Sequence, residues 1–226
     1  MIAIIDYGAG NLRSIRRALE TNGAETVITS DPDVVRKADA VVLPGVGHAG
    51  HAIGEIERRG LTPAIQESVE SGKPFLGICV GMQVLFEHQQ EGDIQGFGFL
   101  HGNVRQIEGA AKLPHIGWNQ VSTGNPDDGI DEGYFYFVHS FVANPTDPQD
   151  VAATSTYGEE FPVVVKRGNV WGTQFHPEKS GPAGIDFLAL AERGRQIDQG
   201  TLGGRRMIIY PAIDLRDGKV KLPGRR

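Results

Sequence analysis

Two kinds of segment alternate in the first half of the chain. Short, almost continuously apolar runs predict buried strands, namely IAIID, ETVIT, AVVLP and KPFLGI. Apolar residues recur at helical spacing in NLRSIRRALETNG and LTPAIQESVESG, and each of these segments ends at a glycine. A further helix is predicted for VGMQVLFEHQ, directly after KPFLGI, whereas a short Asp- and Pro-rich connection joins ETVIT to AVVLP. Such alternation predicts a parallel sheet covered on both faces.

The second half of the chain has the pattern of an antiparallel sheet. Short β-type runs are separated by turn residues, and they are GFLHGNVRQI, HIGWNQV, GYFYFVHSFVA, VAATSTYG, FPVVVKRG and NVWGTQFHP. The last two predict a hairpin that turns near Gly168 and Asn169, and GPAGIDFLALAERG predicts a closing helix. We therefore expect an α/β fold, with a central, mostly parallel sheet flanked by helices and with added antiparallel strands.

Composition narrows the class of protein. The length of 226 residues suits one well-filled domain, and a net charge of −6 does not favour a nucleic-acid partner. No run approaches the ~20 apolar residues that a membrane span needs, and the first apolar run, broken at Asp6, does not resemble a signal peptide. A single cysteine excludes an internal disulfide and a multi-cysteine metal site. We expect a cytoplasmic protein without a metal or cofactor.

Charge is unevenly distributed along the chain. The segment 205–226 has seven Lys or Arg residues and two Asp residues, a net charge of +5, which leaves −11 for the preceding residues. The change falls at the pair Gly203 and Gly204. We therefore predict one domain over residues 1–200 and an atypical basic tail over 201–226.

The segment LGICVG has the pattern of a nucleophile elbow. Gly77 and Gly81 lie two residues on either side of Cys79, where a predicted strand meets a predicted helix. The start of that helix directs its positive end at the sulfur, which favours the thiolate, and the Val80 N–H lies where an oxyanion donor is needed. The alternative is a buried structural cysteine, the commoner role of a lone cysteine. The flanking glycines favour a nucleophile.

A thiol nucleophile needs a base and a group that orients the base. His176 ends the predicted strand NVWGTQF, and Glu178 follows two residues later, so that its carboxylate can return to the imidazole. Ends of parallel strands on one edge are the usual places for sites in such sheets. The alternative is that both are ordinary polar loop residues. The histidines expected to be exposed are His48, His51, His88, His101 and His115.

The segment LPGVGHAG allows two interpretations. Gly45, Gly47 and Gly50 match a dinucleotide-binding fingerprint, but Pro44 precedes the first glycine. The acids about 20 residues further on lie inside a predicted helix instead of ending a strand. A loop that presents a second oxyanion donor around Val46 and Gly47 fits better. We interpret PGVG as an oxyanion strand.

Several motifs together resemble a known family. GICVGMQ, LPGVG and HPEKSG resemble class I, triad-type glutamine amidotransferases. DYGAGNLRS, PHIGWN and YFVHS narrow the resemblance to the glutaminase subunits of imidazole glycerol phosphate synthase, of histidine biosynthesis. The similarity runs from Met1 to about Leu190. It implies hydrolysis of the glutamine side-chain amide to glutamate and ammonia.

The resemblance also implies residue roles. Cys79 is then the nucleophile, His176 the base that later protonates the leaving ammonia, and Glu178 the residue that orients His176. Oxyanion donors come from Val80 and from the strand that contains Val46 and Gly47. Substrate glutamine is held by four residues, Gly45, Gln83, His139 and Ser140.

A partner chain is implied as well. In this family the glutaminase binds a (β/α)8-barrel cyclase, which uses the ammonia to make imidazole glycerol phosphate and an aminoimidazole carboxamide ribotide. A chain of 226 residues is too short to hold a barrel of ~250 residues too, so we expect a heterodimer. Motif positions near the partner are Asn11, Trp118, Asn119 and Lys179. On sequence alone, Trp118 is equally compatible with a core aromatic residue.

The tail departs from this family. Residues 207–222, MIIYPAIDLRDGKVKL, resemble the first strand of a (β/α)8-barrel isomerase of the same pathway. One barrel strand has no partner strand, so we expect residues 201–226 to be disordered and without a catalytic role. Two alternative functions remain, a stand-alone γ-glutamyl cysteine hydrolase of related fold, or a glutaminase impaired by its altered C-terminus. In the second case the chain would be only a binding or regulatory subunit.

Overall fold

A computed structural model describes residues 1–125 and 128–191 in full. For residues 192–193, 214–216 and 219–221 it describes the backbone alone. The helices are α1 (Leu12–Thr21), α2 (Pro32–Lys37), α3 (Ala49–Arg58), α4 (Thr62–Glu70), α5 (Val80–Gln83) and α6 (Gly181–Arg193). The strands of the first half are β1 (Ile2–Ile5), β2 (Thr26–Thr29), β3 (Ala40–Gly45), β4 (Phe75–Cys79), β5 (Phe86–Gln89), β6 (Ile94–Gln95) and β7 (Leu100–Gln106). Those of the second half are β8 (His115–Thr123), β9 (Gly133–His139), β10 (Phe141–Pro145), β11 (Val151–Tyr157), β12 (Glu159–Arg167) and β13 (Val170–Thr173).

Most of these strands form one sheet of nine, in the order β2-β1-β3-β4-β13-β12-β11-β8-β9. From β2 to β13 neighbouring strands are parallel, and from β13 to β9 they are antiparallel. A smaller sheet has the order β10-β7-β5-β6. This arrangement agrees with the predicted α/β fold, in which a mostly parallel sheet carries added antiparallel strands.

The parallel strands lie in the hydrophobic core. Every residue of β1, β4 and β13 is buried, as expected for strands covered on both faces. Helix α1 contributes Ile15, Ala18 and Leu19 to the core at helical spacing, and most of its other residues are polar and exposed. Helix α6 packs against α1 and buries Leu188 completely. The closing helix is therefore in place up to the end of the described domain.

Some sequence predictions are confirmed, and others are wrong in detail. The hairpin at Gly168 and Asn169 joins β12 to β13 as predicted. The predicted helix VGMQVLFEHQ ends at Gln83, because the next residues pair with β7 as strand β5. The Asp- and Pro-rich connection contains α2, whose N-terminus is capped by the Asp31 side chain. The run GYFYFVHSFVA divides at Ser140 into β9 and β10, which belong to different sheets.

The predicted basic tail lies largely outside the described residues. Within 201–226 only two short strands are described, β14 (Asp214–Arg216) and β15 (Lys219–Lys221), which pair antiparallel. The domain boundary near residue 200 and the disorder of the tail stay predictions.

Close backbone packing explains the glycines around Cys79. Strands β3 and β4 are neighbours, with Gly45 beside Cys79, and α5 passes directly over both strands. A Cβ atom at Gly81 would overlap the Leu43 carbonyl, and one at Gly45 would overlap the Gly81 backbone. A Cβ at Gly77 would lie only 2.6 Å from the Gly81 carbonyl oxygen. All three positions therefore require glycine for close approach.

We expect Gly81→Ala to lower the free energy of unfolding by about 1–3 kcal/mol or more, because backbone atoms must move to admit the methyl group. The matched control is Gly54→Ala in the exposed face of α3, where a Cβ meets no atom within 4 Å. That change should be neutral or stabilise by up to about 1 kcal/mol through helix propensity. Urea denaturation of both variants measures the difference, and equal effects would contradict the packing argument.

Candidate active site

A cavity of about 270 Å³ opens at the carboxyl ends of β3, β4 and β13, beside the point where β9 passes into β10. Its lining consists of Val46, Gly47, Cys79, Val80, Gln83, Glu91, Pro114, Val138, His139, Ser140, Phe141 and His176. Adjacent parallel strands place their C-terminal residues at one edge, which is why residues distant in sequence meet here. The cavity brings together most of the residues predicted for the site.

Cys79 has a strained backbone conformation. It lies at the last position of β4 with φ 54° and ψ −112°, in a region that residues with a side chain rarely adopt. The residue is buried, and its sulfur accepts a 3.6 Å hydrogen bond from Gln174 Nε2. Helix α5 begins at the next residue, Val80, but is only one turn long. Such strain is typical of functional sites, where the surrounding structure must enforce it.

His176 and Glu178 form a buried pair beside the same cavity. His176 Nδ1 lies 2.9 Å from Glu178 Oε1, and both side chains are inaccessible to solvent or nearly so. The other ring nitrogen, Nε2, is buried, makes no hydrogen bond with a described residue, and is the nitrogen left for Cys79. Catalytic hydrogen bonds often tighten only when substrate binds.

The loop that carries this pair is fixed to β9. The His176 backbone N–H donates to the Tyr136 carbonyl at 2.9 Å. The Ser180 hydroxyl donates to the His176 carbonyl at 2.7 Å and accepts from the Tyr136 N–H at 3.0 Å. These three bonds fix the backbone of His176, and with it the position of the imidazole, just after the end of β13.

Two opposing effects set the pKa of His176. Burial lowers the pKa of the ring, but the Cys79 sulfur and the Glu178 carboxylate outweigh burial and raise it from 6.5 to about 10. A protonated imidazole is thus stabilised between the sulfur and the carboxylate. This is the arrangement that a base needs in order to accept a thiol proton and keep it.

A second buried histidine has the opposite behaviour. Burial is the main cause that lowers the pKa of His139 to about 3. Its Nδ1 lies 2.9 Å from the Phe141 carbonyl, so this nitrogen carries the proton, and Nε2 accepts from His115 Nδ1 at 3.1 Å. His139 is therefore neutral and does not compete with His176 for a proton.

The predicted oxyanion and substrate residues surround the sulfur. Val46 and Gly47 lie on the exposed loop after β3, and Gly47 has a φ of 85°, a conformation that favours glycine. Gly45 lies beneath them, paired with Cys79 in the sheet. The Gln83 amide nitrogen donates to the Phe141 carbonyl and to Gln174 Oε1, each at 3.0 Å. Ser140 lines the cavity at the junction of the two sheets.

The residues predicted to lie near a partner occupy a different surface. Trp118 is 56% exposed on β8, next to Ile116 at 61% and, on β9, Tyr134 at 62%. We call Ile116, Trp118 and Tyr134 the β8–β9 patch. The Trp118 ring packs edge-on against Tyr136, whose ring centroid lies 5.5 Å from Lys179 Nζ. The prediction that Trp118 could equally be a core residue is thereby resolved in favour of the surface.

The other two predicted contact residues differ in placement. Asn11 precedes α1, is half-buried, and makes no side-chain capping bond, and α1 packs against the turn that contains Lys179. Asn119 follows Trp118 in the strand and so points to the opposite face. Its Nδ2 donates to the Thr156 carbonyl at 2.9 Å. Asn119 is therefore not part of the β8–β9 patch.

Comparison with known proteins identifies the family. The glutamine amidotransferase class-I family matches residues 3–190. The imidazole glycerol phosphate synthase subunit HisH of Rhodopirellula baltica is 51% identical over 194 residues, which cover 83% of this chain and 95% of that protein. The HisH subunit of Methanothermobacter thermautotrophicus is 47% identical over 192 residues, covering 83% and 96%.

The chain belongs to the class I glutamine amidotransferases, and within them to the HisH subunits. The predicted family and fold class are confirmed. Among solved structures, a glutamine amidotransferase matches with a TM-score of 0.70 and 21% identity, covering 84% of this chain and 99% of that one. PurLQS from Thermotoga maritima matches with a TM-score of 0.67 and 22% identity, covering 86% and 97%. These two similarities show that the fold is shared.

Four residues of this glutamine amidotransferase site were not found from the sequence. Gln174 contacts the sulfur, and Glu91 lines the cavity while its carboxylate accepts from the Ala49 N–H at 2.9 Å. His115, predicted to be exposed, is buried against Tyr157 at a ring-centroid distance of 4.0 Å. The predicted exposure of His115 is wrong, because alternate residues of β8 face the core.

Tyr7 is the fourth residue. Burial and then the Cys79 sulfur raise its pKa, whereas the Val46 backbone N–H lowers it. Its hydroxyl is buried. A neutral phenol thus lies close to both the sulfur and the predicted oxyanion strand.

The described residues show neither a metal cluster nor a membrane-spanning helix. They contain no group of three or more His, Cys, Asp or Glu side chains placed to hold a metal ion. In this same part of the chain, no helix has the length and apolar character that crossing a membrane requires.

The raised pKa of His176 predicts a pH dependence of stability. The folded protein keeps a proton to about pH 10 that the unfolded chain loses near pH 6.5. The stabilisation is complete below pH 6.5 and is lost as the pH rises towards 10. We expect the free energy of unfolding to fall between pH 6.5 and 9.5 by at least about 1.4 kcal/mol more in the wild type than in His176→Gln.

Urea denaturation at the two pH values measures this difference. His51→Gln, an exposed position on α3, is the matched control and should behave like the wild type. An equal fall in His176→Gln and the wild type would show that His176 does not hold the extra proton.

Proposed function

We propose that this chain is the glutaminase subunit of an imidazole glycerol phosphate synthase, acting in histidine biosynthesis. It hydrolyses glutamine to glutamate and ammonia, and a cyclase subunit uses the ammonia to make imidazole glycerol phosphate and an aminoimidazole carboxamide ribotide. One observation carries the proposal. The strained Cys79 and the buried pair of His176 and Glu178 meet at one cavity, in a chain of the HisH family.

Acylation follows from this arrangement. His176 takes the proton of the Cys79 thiol, and the sulfur attacks the side-chain amide carbon of glutamine. The tetrahedral intermediate collapses when the C–N bond breaks and His176 returns the proton to the leaving nitrogen, which departs as ammonia. A γ-glutamyl thioester remains on Cys79. Glu178 keeps the imidazole oriented and stabilises its charged form, as its 2.9 Å bond to Nδ1 allows.

Deacylation repeats the proton transfers with water. His176 removes a proton from the water that attacks the thioester, and the thiol is regenerated as glutamate leaves. In both steps negative charge develops on the former amide oxygen. The Val80 N–H and an N–H from the strand that contains Val46 and Gly47 are the donors for this oxyanion.

Substrate recognition uses the rest of the cavity. Glu91 lines the cavity, and its carboxylate suits the α-amino group of glutamine. Gly45, Gln83 and the backbone around His139 and Ser140 form the opposite part of the site. The small size of the cavity favours a free amino acid over a larger amide.

The β8–β9 patch is the docking surface for the cyclase, a (β/α)8 barrel. Three large apolar side chains exposed together indicate a protein interface, since aromatic residues contribute strongly at such surfaces. Lys179 and Asn11 extend the surface towards the loop that carries His176. Strand β9 ends at His139, which lines the same cavity as Val46 and Gly47, and we expect hydrolysis to become fast only when the cyclase holds its own ligand. A cytoplasmic heterodimer follows from this role.

We expect Cys79→Ser to lower kcat for glutamine hydrolysis in the complex by at least about 10³-fold, because a serine hydroxyl is a far weaker nucleophile in a site built for a thiol. Glutamate release with and without the cyclase and its ligand measures this loss. Full activity in the variant would remove Cys79 from the mechanism. Fast hydrolysis by the isolated wild-type subunit would favour a stand-alone γ-glutamyl hydrolase.

We expect Trp118→Ala to raise the Kd for the cyclase by at least about 10-fold, as for other buried interface tryptophans. Lys37→Ala is the matched control, since α2 ends at the amino-terminal side of the sheet, away from the site. Isothermal titration calorimetry with the purified cyclase measures both. Equal affinities for Trp118→Ala and the wild type would place the interface elsewhere.

A further inference from the structure

The Gln174 side chain contacts the sulfur of Cys79. Gln174 follows β13, two residues before His176, and is completely buried. Its Nε2 lies 3.6 Å from Cys79 Sγ, and its backbone N–H donates to the Val163 carbonyl at 2.9 Å. Strands β13 and β4 are parallel neighbours, which brings the residue after β13 to the level of Cys79 at the end of β4. The polar group of a buried residue is thus aimed at the reacting atom.

The direction of this contact is fixed by two other groups. The Phe141 carbonyl can only accept a hydrogen bond, so Gln83 must present its NH₂ group to it. The same NH₂ group lies 3.0 Å from the Gln174 amide, which must therefore turn its oxygen towards Gln83. The Gln174 NH₂ group is left facing Cys79. The orientation of both amides follows from a backbone carbonyl and does not depend on telling nitrogen from oxygen.

We propose that Gln174 is a thiolate-stabilising residue of this site, donating a hydrogen bond to the charged form of Cys79 and fixing the position of the sulfur. The inference rests on the proposed function, in which Cys79 is the nucleophile. An N–H donor favours an anion over the neutral thiol, most of all where water is excluded. His176 receives the proton, and Gln174 holds the sulfur that has lost it.

The length of the contact suits this role. At 3.6 Å the bond orients the sulfur while leaving its charge available for attack on the amide carbon. The strained backbone fixes the main chain of Cys79, and the contact with Gln174 fixes its sulfur. Together they restrict the direction from which the sulfur approaches the substrate.

Alkylation of the thiol tests the proposal directly. Cys79 is the single cysteine of the chain, so the rate of iodoacetamide modification of the full-length protein reports on this sulfur alone. Only the thiolate reacts, so the rate measured against pH has a midpoint where half of the thiol is ionised. Gln174→Met and Gln174→Leu remove the donor in two different shapes, which guards against failure of one variant to fold.

We expect both variants to raise the alkylation midpoint by about one pH unit, which is about a 10-fold slower reaction at pH values below both midpoints. The matched control is Gln89→Met. Gln89 is also completely buried, and it donates to the Gln83 carbonyl at 2.7 Å instead of to the sulfur. Its alkylation midpoint should stay within about 0.3 units of the wild type, because the Gln89 side chain bonds to a backbone carbonyl and provides no donor to the sulfur.

The remaining outcomes contradict the proposal or separate it from the proposed function. An unchanged midpoint in the Gln174 variants, or an equal rise in Gln89→Met, would show that Gln174 has only a packing role. In the complex, the acid limb of the kcat/KM profile for glutamine should move upward by the same amount as the alkylation midpoint. Hydrolysis that survives in Cys79→Ser would overturn the glutaminase mechanism, whereas the alkylation result would still decide whether Gln174 acts on the sulfur.

Discussion

The close passage of α5 over β3 and β4 is the constraint on which the site depends. Three glycines allow the backbones to approach to a distance that any side chain would prevent. This approach forces the chain to turn sharply at Cys79, and the turn holds the residue at a φ of 54°. The strain is tolerated because the strand on one side and the helix on the other are both buried in the core.

Everything else in the site is placed relative to that turn by sheet order. Strand β13 lies beside β4, so its continuation brings His176 and Glu178 to the sulfur. Strand β3 lies on the other side of β4 and brings the loop after Gly45. Another side of the cavity is formed at Ser140, where the chain leaves the large sheet for the small one. The cavity is therefore a consequence of topology, and each strand supplies one chemical part.

The sequence predicted the residues that carry local signals. Cys79 lies between glycines in a strand-to-helix context, and His176 and Glu178 are two residues apart after a strand, so a short segment sufficed for each. Contacts between distant segments were not predictable in this way. Gln174 and Cys79 are 95 residues apart, and the position of Gln174 in a buried strand extension shows no motif of its own. Strand β5 was predicted as a helix from its local pattern. It is a strand because its pairing with β7 overrides that local preference.

Two buried histidines near the sulfur show how the fold separates their chemistry. Burial removes water from around both rings and so disfavours the charged form of each imidazole. His176 has a carboxylate and a sulfur as neighbours, which reverses that effect. His139 has a carbonyl and a second histidine instead, and it stays neutral. The reaction moves one proton at a time and needs one acceptor for it. Since His139 and His115 stay neutral, His176 is the strongest base at the cavity among the described residues. The aromatic packing around His115 contributes to this difference, because burial lowers the pKa of that ring and keeps it neutral.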